Sequence, residues 1–591
     1  MKATEEAVTP MLSDQQAYIM MNEGLFNRVK ALYEKRKSLN LTGEQLMVLE
    51  NYFRDFVRGG AELDSVKKKE LAQVNKQLSV ATVKFGNNLL ADNKAYKLTL
   101  TDEKQLSGLP AGVKQAAQDA AKAAGVQGWL FTLDKPSCIP FLQYADNRDL
   151  REQIYKAYYN RGDNDNANNN KAVIKTILEL RLKKAQLLGF NTYADYAMDE
   201  KMAKTPQAAK DLLMKIWQPA LEKAKAEAAD LQKLMDREGK GEKLEAWDWW
   251  YYTEKLRQEK YALDENEYKP YFSVANVDSG AFMCAHKLYG ITLSPRTDIP
   301  VYYTGVKAYD VTDADGSHLA VFYEDRFPRD TKRAGAWMTD FWGAKNLGGK
   351  DERPFTVNVC NFTPAVGDVP ALLNMDETTT LFHEFGHALH GMLTKCHYPS
   401  VSGTNVKQDF VELFSQINEH WATEPSVMKM YARHYKTGEV IPDSLIEKMQ
   451  RSSTFNQGFE TTELVAAALL DMEMHMLTDY SNFDCDAFEK EVRAKIGIIP
   501  QIEFRYRSTN FNHIFANGYA VGYYAYLWAE VLDADAFELF KQKGVFDPAT
   551  AKAFRHVMEM GGSEDPMQLY VAFRGAQPSP NALLRNRGLL K

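Results

Sequence analysis

Apolar residues recur at steps of three and four through much of the first half of the chain. Leu71, Val74, Leu78, Ala81, Phe85 and Leu89 fall on one face of a helix, so the spacing predicts a long amphipathic helix made for packing. Further helices are predicted at Ile174 to Leu188, stopped by Gly189, and from Thr205-Pro206, a cap followed by proline at the first helical position. Gly108 and Pro110 break the pattern between Ser107 and Gly112. The Asn-rich stretch from Gly162 to Asn170 reads as a polar loop. Its Asp163 and Asp165 resemble the start of a calcium loop, but Ala167 and a missing glycine spoil that match.

Period-two signals gather between residues 300 and 362. Val306 to Val311 and Leu319 to Tyr323 flank Asp315-Gly316, which favours a tight hairpin turn, and Phe355, Val357 and Val359 alternate with polar residues in a strand ending just before the next helical run. Such a small sheet can offer an edge to an extended peptide, although an ordinary buried hairpin has the same pattern. From Asp376 onward the chain reads as helical again, most clearly at Glu463 to Met476 and Tyr519 to Leu532. The cluster Trp247, Trp249, Trp250, Tyr251 and Tyr252 reads as lobe packing, with a ligand cage as the alternative.

A chain of 591 residues with 45% hydrophobic content exceeds what one compact core usually supports, so two lobes are expected. A split into a helical lobe at 1–255 and a second lobe at 256–591, discontinuous in sequence, is the expected division. A net charge of −7 without a basic block argues against nucleic acid or an anionic membrane as partner and fits small molecules or peptides. Cys138, Cys284, Cys360, Cys396 and Cys485 lack CxxC spacing, which suggests neither a disulfide framework nor a cysteine zinc site. The amino terminus has acidic residues where a secretory segment would be apolar, and no run of ~18 apolar residues occurs. A soluble cytoplasmic protein is expected, or a periplasmic one for a chain trimmed of its leader.

The stretch that carries chemistry is LFHEFGHALHGM, Leu381 to Met392, which contains the HExxH pattern His383-Glu384-Phe385-Gly386-His387. Phe382, Phe385, Leu389 and Leu393 form an apolar stripe, so the stretch reads as a helix, with Asp376 as its N-cap. Two histidines four apart lie on one face and can share a metal ion. Glu384 falls beside them, where a general base can reach water without taking a metal position. Gly386 costs helix propensity but would let another backbone come close. The bland alternative is a helix that merely carries two histidines.

Catalytic zinc usually takes three protein ligands and leaves one position open. Downstream lies DFVELFSQINEHW, a helix candidate in which Asp409, Glu412, Glu419 and His420 compete by spacing for the third position. Glu412 and Glu419 share a face, so one can bind metal while the other orients a ligand histidine. His390 sits two turns from His383, roughly 10 Å along the axis, too far to share its metal.

These residues resemble a known family. FHEFGHALHGM, SGTN at Ser402 to Asn405, DFVELFSQINEHWA, FNHIFANGYAVGYYAYLWAE and AFRGAQPSPNALLRNRG together are similar to the M3 metallopeptidases, the thimet oligopeptidase group, and most of all to its bacterial peptidyl-dipeptidase branch. The likeness covers essentially the whole chain. Phe414 departs from it, standing where many relatives have proline, and the amino terminus starts later than in a full-length member.

The resemblance implies a mainly α, two-lobed, zincin-type metallopeptidase with a small β-sheet beside the HExxH helix and a deep channel between the lobes. It implies one zinc ion per chain, held by His383, His387 and Glu412, with Glu384 as general base. Tyr519 and Tyr526 would donate hydrogen bonds to an oxyanion, a role commonly worth ~3 kcal/mol per donor. Tyr519, Tyr523 and Tyr526, at i, i+4 and i+7, are expected on one helical face, a stripe that by spacing alone reads as core packing and that the resemblance turns toward the site, with Tyr523 a substrate contact and His513 bonding a substrate carbonyl. Short unstructured peptides are the implied partners of a monomer. The peptidyl-dipeptidase branch removes dipeptides from free carboxyl ends and other members cut internally. The first activity calls for a cation facing the terminal carboxylate, for which Arg505 and Arg507 are the candidates and a salt bridge inside the lobe is the alternative. A reading from another class, a non-catalytic peptide-binding protein with structural zinc, would have four protein ligands and no adjacent base.

Overall fold

A computed structural model of the chain describes residues 2–239, 241–261, 265–329, 332, 335–365 and 367–590. Helices form where the three-and-four periodicity runs. The first long stripe lies on α1, Ser65–Ala95, where Leu71, Val74, Ala81 and Phe85 are buried. α2 spans Lys171–Leu187, and Gly189 follows it with φ +86°. α3, Pro206–Arg237, starts as its sequence dictates, with the Thr205 hydroxyl accepting from the Ala208 amide and proline at the first helical position.

Val274–Tyr289 forms α4, after which a five-stranded sheet is built from β1 (Thr292–Arg296), β2 (Lys307–Thr312), β3 (His318–Asp325), β4 (Trp337–Trp342) and β5 (Phe355–Val359). Their order is β1-β2-β3-β5-β4. β2 and β3 form the expected antiparallel hairpin, with Gly316 at φ +83° in the turn. β5 pairs parallel with β3 and antiparallel with β4, which leaves β4 at an edge. β1 and β4 were not legible as strands, and residues 360–374 separate β5 from the next helix, so the strand does not end directly before it.

Four helices then carry the chemistry: α5 (Met375–Leu393), α6 (Gln408–Thr423), α7 (Gln457–His475) and α8 (Ala525–Lys543). The cap of α5 is not Asp376. Asn374 holds that position in a reciprocal capping box with Glu377, so Asp376 lies inside the first turn. α8 also begins later than its aromatic pattern suggests, because residues 517–524 are a succession of turns.

Two large apolar clusters organise these elements. The first joins Phe85, Ile177 and Trp217 of α1 to α3 with Val465 and Leu469 of α7 and Leu527 and Val531 of α8. The second joins Val277 of α4, Val311 and Phe322 of the sheet, Phe385 and Leu389 of α5, Phe410 and Ile417 of α6, and Leu532 and Phe537 of α8. The packing therefore does not divide at residues 255 and 256: α7 belongs with the first cluster, and α8 carries a face to each. Trp249 and Tyr252 are buried in the first cluster, as their reading as packing residues requires. All five cysteines are buried and unpaired. No helix among the described residues is long and apolar enough to cross a membrane.

One buried polar group ties the clusters together. Asp409 of α6, fully buried, accepts hydrogen bonds from the backbone amides of Met202 (2.9 Å) and Ala203 (3.1 Å) and from the Tyr524 hydroxyl (2.6 Å). Removing it orphans three buried donors, each at a cost of about 1–3 kcal/mol. Asp409→Ala should lower the unfolding free energy by about 3–5 kcal/mol, read by denaturant titration, and a loss under about 1 kcal/mol would show that these contacts do not join the lobes.

Candidate metal centre and cavity

Two helices build the centre by crossing closely. A Cβ at Gly386 of α5 would lie 2.3 Å from the Phe414 carbonyl oxygen and 2.8 Å from the Ser415 Cα of α6, and neither backbone can yield. Glycine is what permits the approach. Asn418 fastens the crossing by donating to the Phe382 carbonyl at 2.6 Å.

This crossing brings the Glu412 carboxylate to both histidines. Glu412 Oε2 lies 3.4 Å from His383 Nε2 and 3.2 Å from His387 Nε2, and donor atoms of all three residues lie within 4.8 Å of one another. Tetrahedral zinc with bonds of about 2.0–2.1 Å separates its donors by about 3.3 Å, so the donor set fits that ion in chemistry and spacing. Of the four competitors for the third position, only Glu412 reaches the histidines in this way. Glu419 instead faces His383 Nδ1 at 2.7 Å, the arrangement that fixes a ligand imidazole from behind, while Asp409 serves the lobe contact and His420 pairs with Asp533 at 2.7 Å. Ser415, one helical turn beyond Glu412, donates to Glu412 Oε2 at 2.9 Å. The sequence reading missed it, although the i, i+3 spacing was there to be used.

The charges are mutually arranged. Burial alone would raise the Glu412 pKa, but hydrogen bonds from His383 and His387 overcome it and hold the carboxylate well below its usual range. Burial likewise opposes a charged His383, and contacts with Glu412 and Glu419 override it. Glu384, 5% exposed, is pushed up by burial, and its Oε2 has no hydrogen-bond partner among the described residues. His387 Nδ1 is also without one. His390 is fully buried against the Phe414 ring, with centroids 3.8 Å apart, and burial pushes its pKa down to about 3.

Beside the centre lies a cavity of about 650 Å³ whose wall includes Glu419, Arg505, His513, Tyr523 and Tyr526. It shares Glu460, Arg505 and Tyr506 in its wall with a second cavity of about 550 Å³ that reaches Lys135 and Trp250. Tyr519 and Tyr526 stack with centroids 5.5 Å apart, although Tyr519 stands in the turn segment and not on the helix. The three phenols thus meet through folding of a turn, not through the single helical face that their spacing suggested. Burial raises the pKa of both Tyr519 and Tyr526, which hydrogen-bond one another and feel the Glu412 charge. His513 lies 5.3 Å from Tyr523 and 6.1 Å from Tyr519 between ring centroids. Burial first, then Arg505 and Lys135, push it down to about 4, which leaves a neutral imidazole at pH 7.

The two arginines part company. Arg505 lines the cavity and pairs with Glu463 at 2.9 Å; burial pushes Glu463 up to about 7 against the opposing pull of Arg505. Arg507 is bound to Asp163, Asp486 and Glu489 at 2.9, 2.8 and 3.0 Å and stands in neither cavity wall. It is the lobe-internal salt bridge of the two readings, and it also accounts for Asp163, which pairs with Arg507 and with Lys171 at 2.5 Å.

An HExxH helix crossed by a helix that brings up a carboxylate, beside an aromatic cavity, defines the class of metal-dependent hydrolases. Comparison with known proteins narrows the class. The sequence pattern of Peptidase family M3 matches residues 141–589, and the chain belongs to that family. The dipeptidyl carboxypeptidase of Salmonella typhimurium is 40% identical over 99% of this chain and 86% of its own length. Oligopeptidase A of Haemophilus influenzae is 35% identical over 98% of this chain and 86% of its own. Among solved structures, a putative oligoendopeptidase F from Bacillus anthracis shares the fold at TM-score 0.51 and 14% identity, covering 99% of this chain and 84% of that one. Oligoendopeptidase-F from Enterococcus faecium does so at TM-score 0.51 and 13% identity, covering 99% and 82%.

The geometry yields a graded expectation for metal binding. Glu412→Ala should largely abolish retention of zinc through dialysis, whereas Glu419→Gln, which loosens the hold on His383, should weaken affinity by about 10–100-fold. Unchanged metal content in Glu412→Ala would assign the third ligand to another residue.

Proposed function

We propose that the chain is a zinc-dependent peptidyl-dipeptidase that releases dipeptides from the carboxyl ends of short, unstructured peptides. The observation that carries this reading is Glu384, buried with a free carboxylate oxygen beside three converging metal donors. A structural zinc site would have a fourth protein ligand and no such base. His383, His387 and Glu412 would hold the ion. Zinc bound there supplies Lewis-acid polarisation of the scissile carbonyl and brings the pKa of water toward ~7.

Glu384 accepts the proton of the attacking water and passes it to the leaving amine. Desolvation raises its proton affinity toward what that shuttle needs. The Tyr519 and Tyr526 phenols, held neutral by burial, donate to the oxyanion as it forms, each worth about 3 kcal/mol. Neutral His513, whose Nδ1 has no partner among the described residues, is free to bond a substrate carbonyl, and Tyr523 flanks it.

For the terminal carboxylate, Arg505 is the one of the two candidate arginines that lines the cavity. Burial pushes its partner Glu463 up, which weakens the ion pair that competes with a substrate carboxylate for the guanidinium. Release of dipeptides is also the activity named for the Salmonella relative. The second reading, cleavage of internal bonds, draws on the oligopeptidase A relatives. Glu384→Gln should keep one zinc per chain and lose hydrolysis by at least about 10³-fold; near-parental turnover would remove Glu384 from the base role. Converting a substrate's carboxylate to an amide should slow cleavage by about 10-fold or more, as should Arg505→Gln on the free acid. Equal rates on amide and acid, with products from interior bonds, would favour the endopeptidase reading.

A further inference from the structure

The segment that presents the tyrosines is not a regular element, and something must hold it. Within residues 517–524 Val521 has φ +59°, a left-handed conformation that β-branched residues avoid, and its side chain is fully buried. Both amides flanking Gly522 are gripped by one carboxylate. Asp471 of α7 accepts from Val521 N at 3.0 Å through Oδ1 and from Tyr523 N at 3.2 Å through Oδ2.

Asp471 is itself fixed. His475, one turn later, directs Nδ1 at the Asp471 carbonyl (2.9 Å) and at Oδ1 (3.0 Å). Its Nε2 lies 2.9 Å from Arg181 Nη1 of α2. A guanidinium only donates, so Nε2 must accept and Nδ1 must carry the proton toward Asp471. The other Arg181 nitrogen, Nη2, donates to the carbonyl of Ile514 at 2.6 Å, immediately after His513. Asp471, His475 and Arg181 are 1%, 0% and 4% exposed, so no solvent competes for these bonds.

We infer that the buried Arg181-His475-Asp471 relay is a positioning device for the reaction: it clamps the Tyr519-to-Tyr526 segment at one end and the His513 segment at the other, holding Val521 in a conformation it would not adopt alone. The inference rests on the reading of Tyr519 and Tyr526 as oxyanion donors. Arg181 and Asp471 lie on helices of the first apolar cluster, while the metal donors lie on helices of the second. The device acts wholly within the first cluster, fixing the segments that this cluster presents to the metal donors.

The test is steady-state kinetics of the zinc-loaded full chain on a short peptide, with metal content and melting temperature measured for each variant. Asp471→Asn keeps size but replaces one acceptor with a donor. It should lower kcat about 10–100-fold with KM within about threefold and zinc retained. Combined with Tyr519→Phe and Tyr526→Phe together, it should fall no more than about threefold below that phenol pair's own variant, because the clamp acts through those two donors. Val521→Gly added to Asp471→Asn should restore kcat at least about fivefold, since glycine enters the left-handed region without a clamp. A merely structural role would give additive losses and no such rescue. If Asp471→Asn does not fold, His475→Gln serves, with a several-fold fall in kcat expected. Parental kcat in whichever of these two variants folds, with Tyr526→Phe impaired, overturns the clamp. Parental kcat in both Tyr519→Phe and Tyr526→Phe instead overturns the reading of the phenols.

Discussion

The centre depends on the approach of two helix backbones at Gly386. Where its Cβ would stand, the Phe414 carbonyl and Ser415 Cα of the crossing helix already are. Only at that separation does a glutamate on α6 reach two imidazoles on α5 across 3.2–3.4 Å. The same crossing sets Glu419 behind His383 and leaves Glu384 buried beside the donors, its Oε2 without a partner among the described residues. Three carboxylates on two helices thus stand in three different settings: against two imidazole Nε2 atoms, behind one imidazole, and buried beside the donors. These are the settings that the proposed ligand, orienter and base need.

Around this crossing the fold solves a second problem, which is to bring groups from a different part of the molecule to the same point. α8 does so by carrying one apolar face to each large cluster, with Leu527 and Val531 on one side and Leu532 and Phe537 on the other. Asp409 and Asp471 reinforce it from opposite sides by accepting from the tyrosine segment, one from the Tyr524 hydroxyl and the other from the amides of Val521 and Tyr523. The two adjoining cavities beside the centre are rich in aromatic and charged side chains.

What could be read from the sequence were the features fixed by short-range periodicity. The HExxH helix, the Glu412 and Glu419 pair seven residues apart, the 307–325 hairpin and the long helix around Leu71 to Leu89 all follow from spacings of two, three, four or seven. The features missed depend on partners far along the chain. Nothing local distinguishes Arg505 from Arg507, and the difference arises because Asp163, Asp486 and Glu489 converge on the second. The aromatic run from Tyr519 imitates a helix, but Asp471, some fifty residues earlier, holds it as turns. Asn374 outcompeted Asp376 as the cap because only its side chain stands three residues ahead of Glu377.

The most direct test of the central claim is the zinc affinity of Gly386→Ala, with Gly391→Ala as its control on the same helix. At Gly391 an added methyl would meet the flexible end of Met338 at 2.6 Å, whereas at Gly386 it meets backbone. Both changes favour helix, so propensity cannot explain a difference between them. The account predicts that Gly386→Ala lowers zinc affinity by at least about 100-fold, because Glu412 is driven from the histidines, while Gly391→Ala stays within about fivefold of the parent. A folded Gly386→Ala protein that binds zinc as tightly as the parent would contradict it.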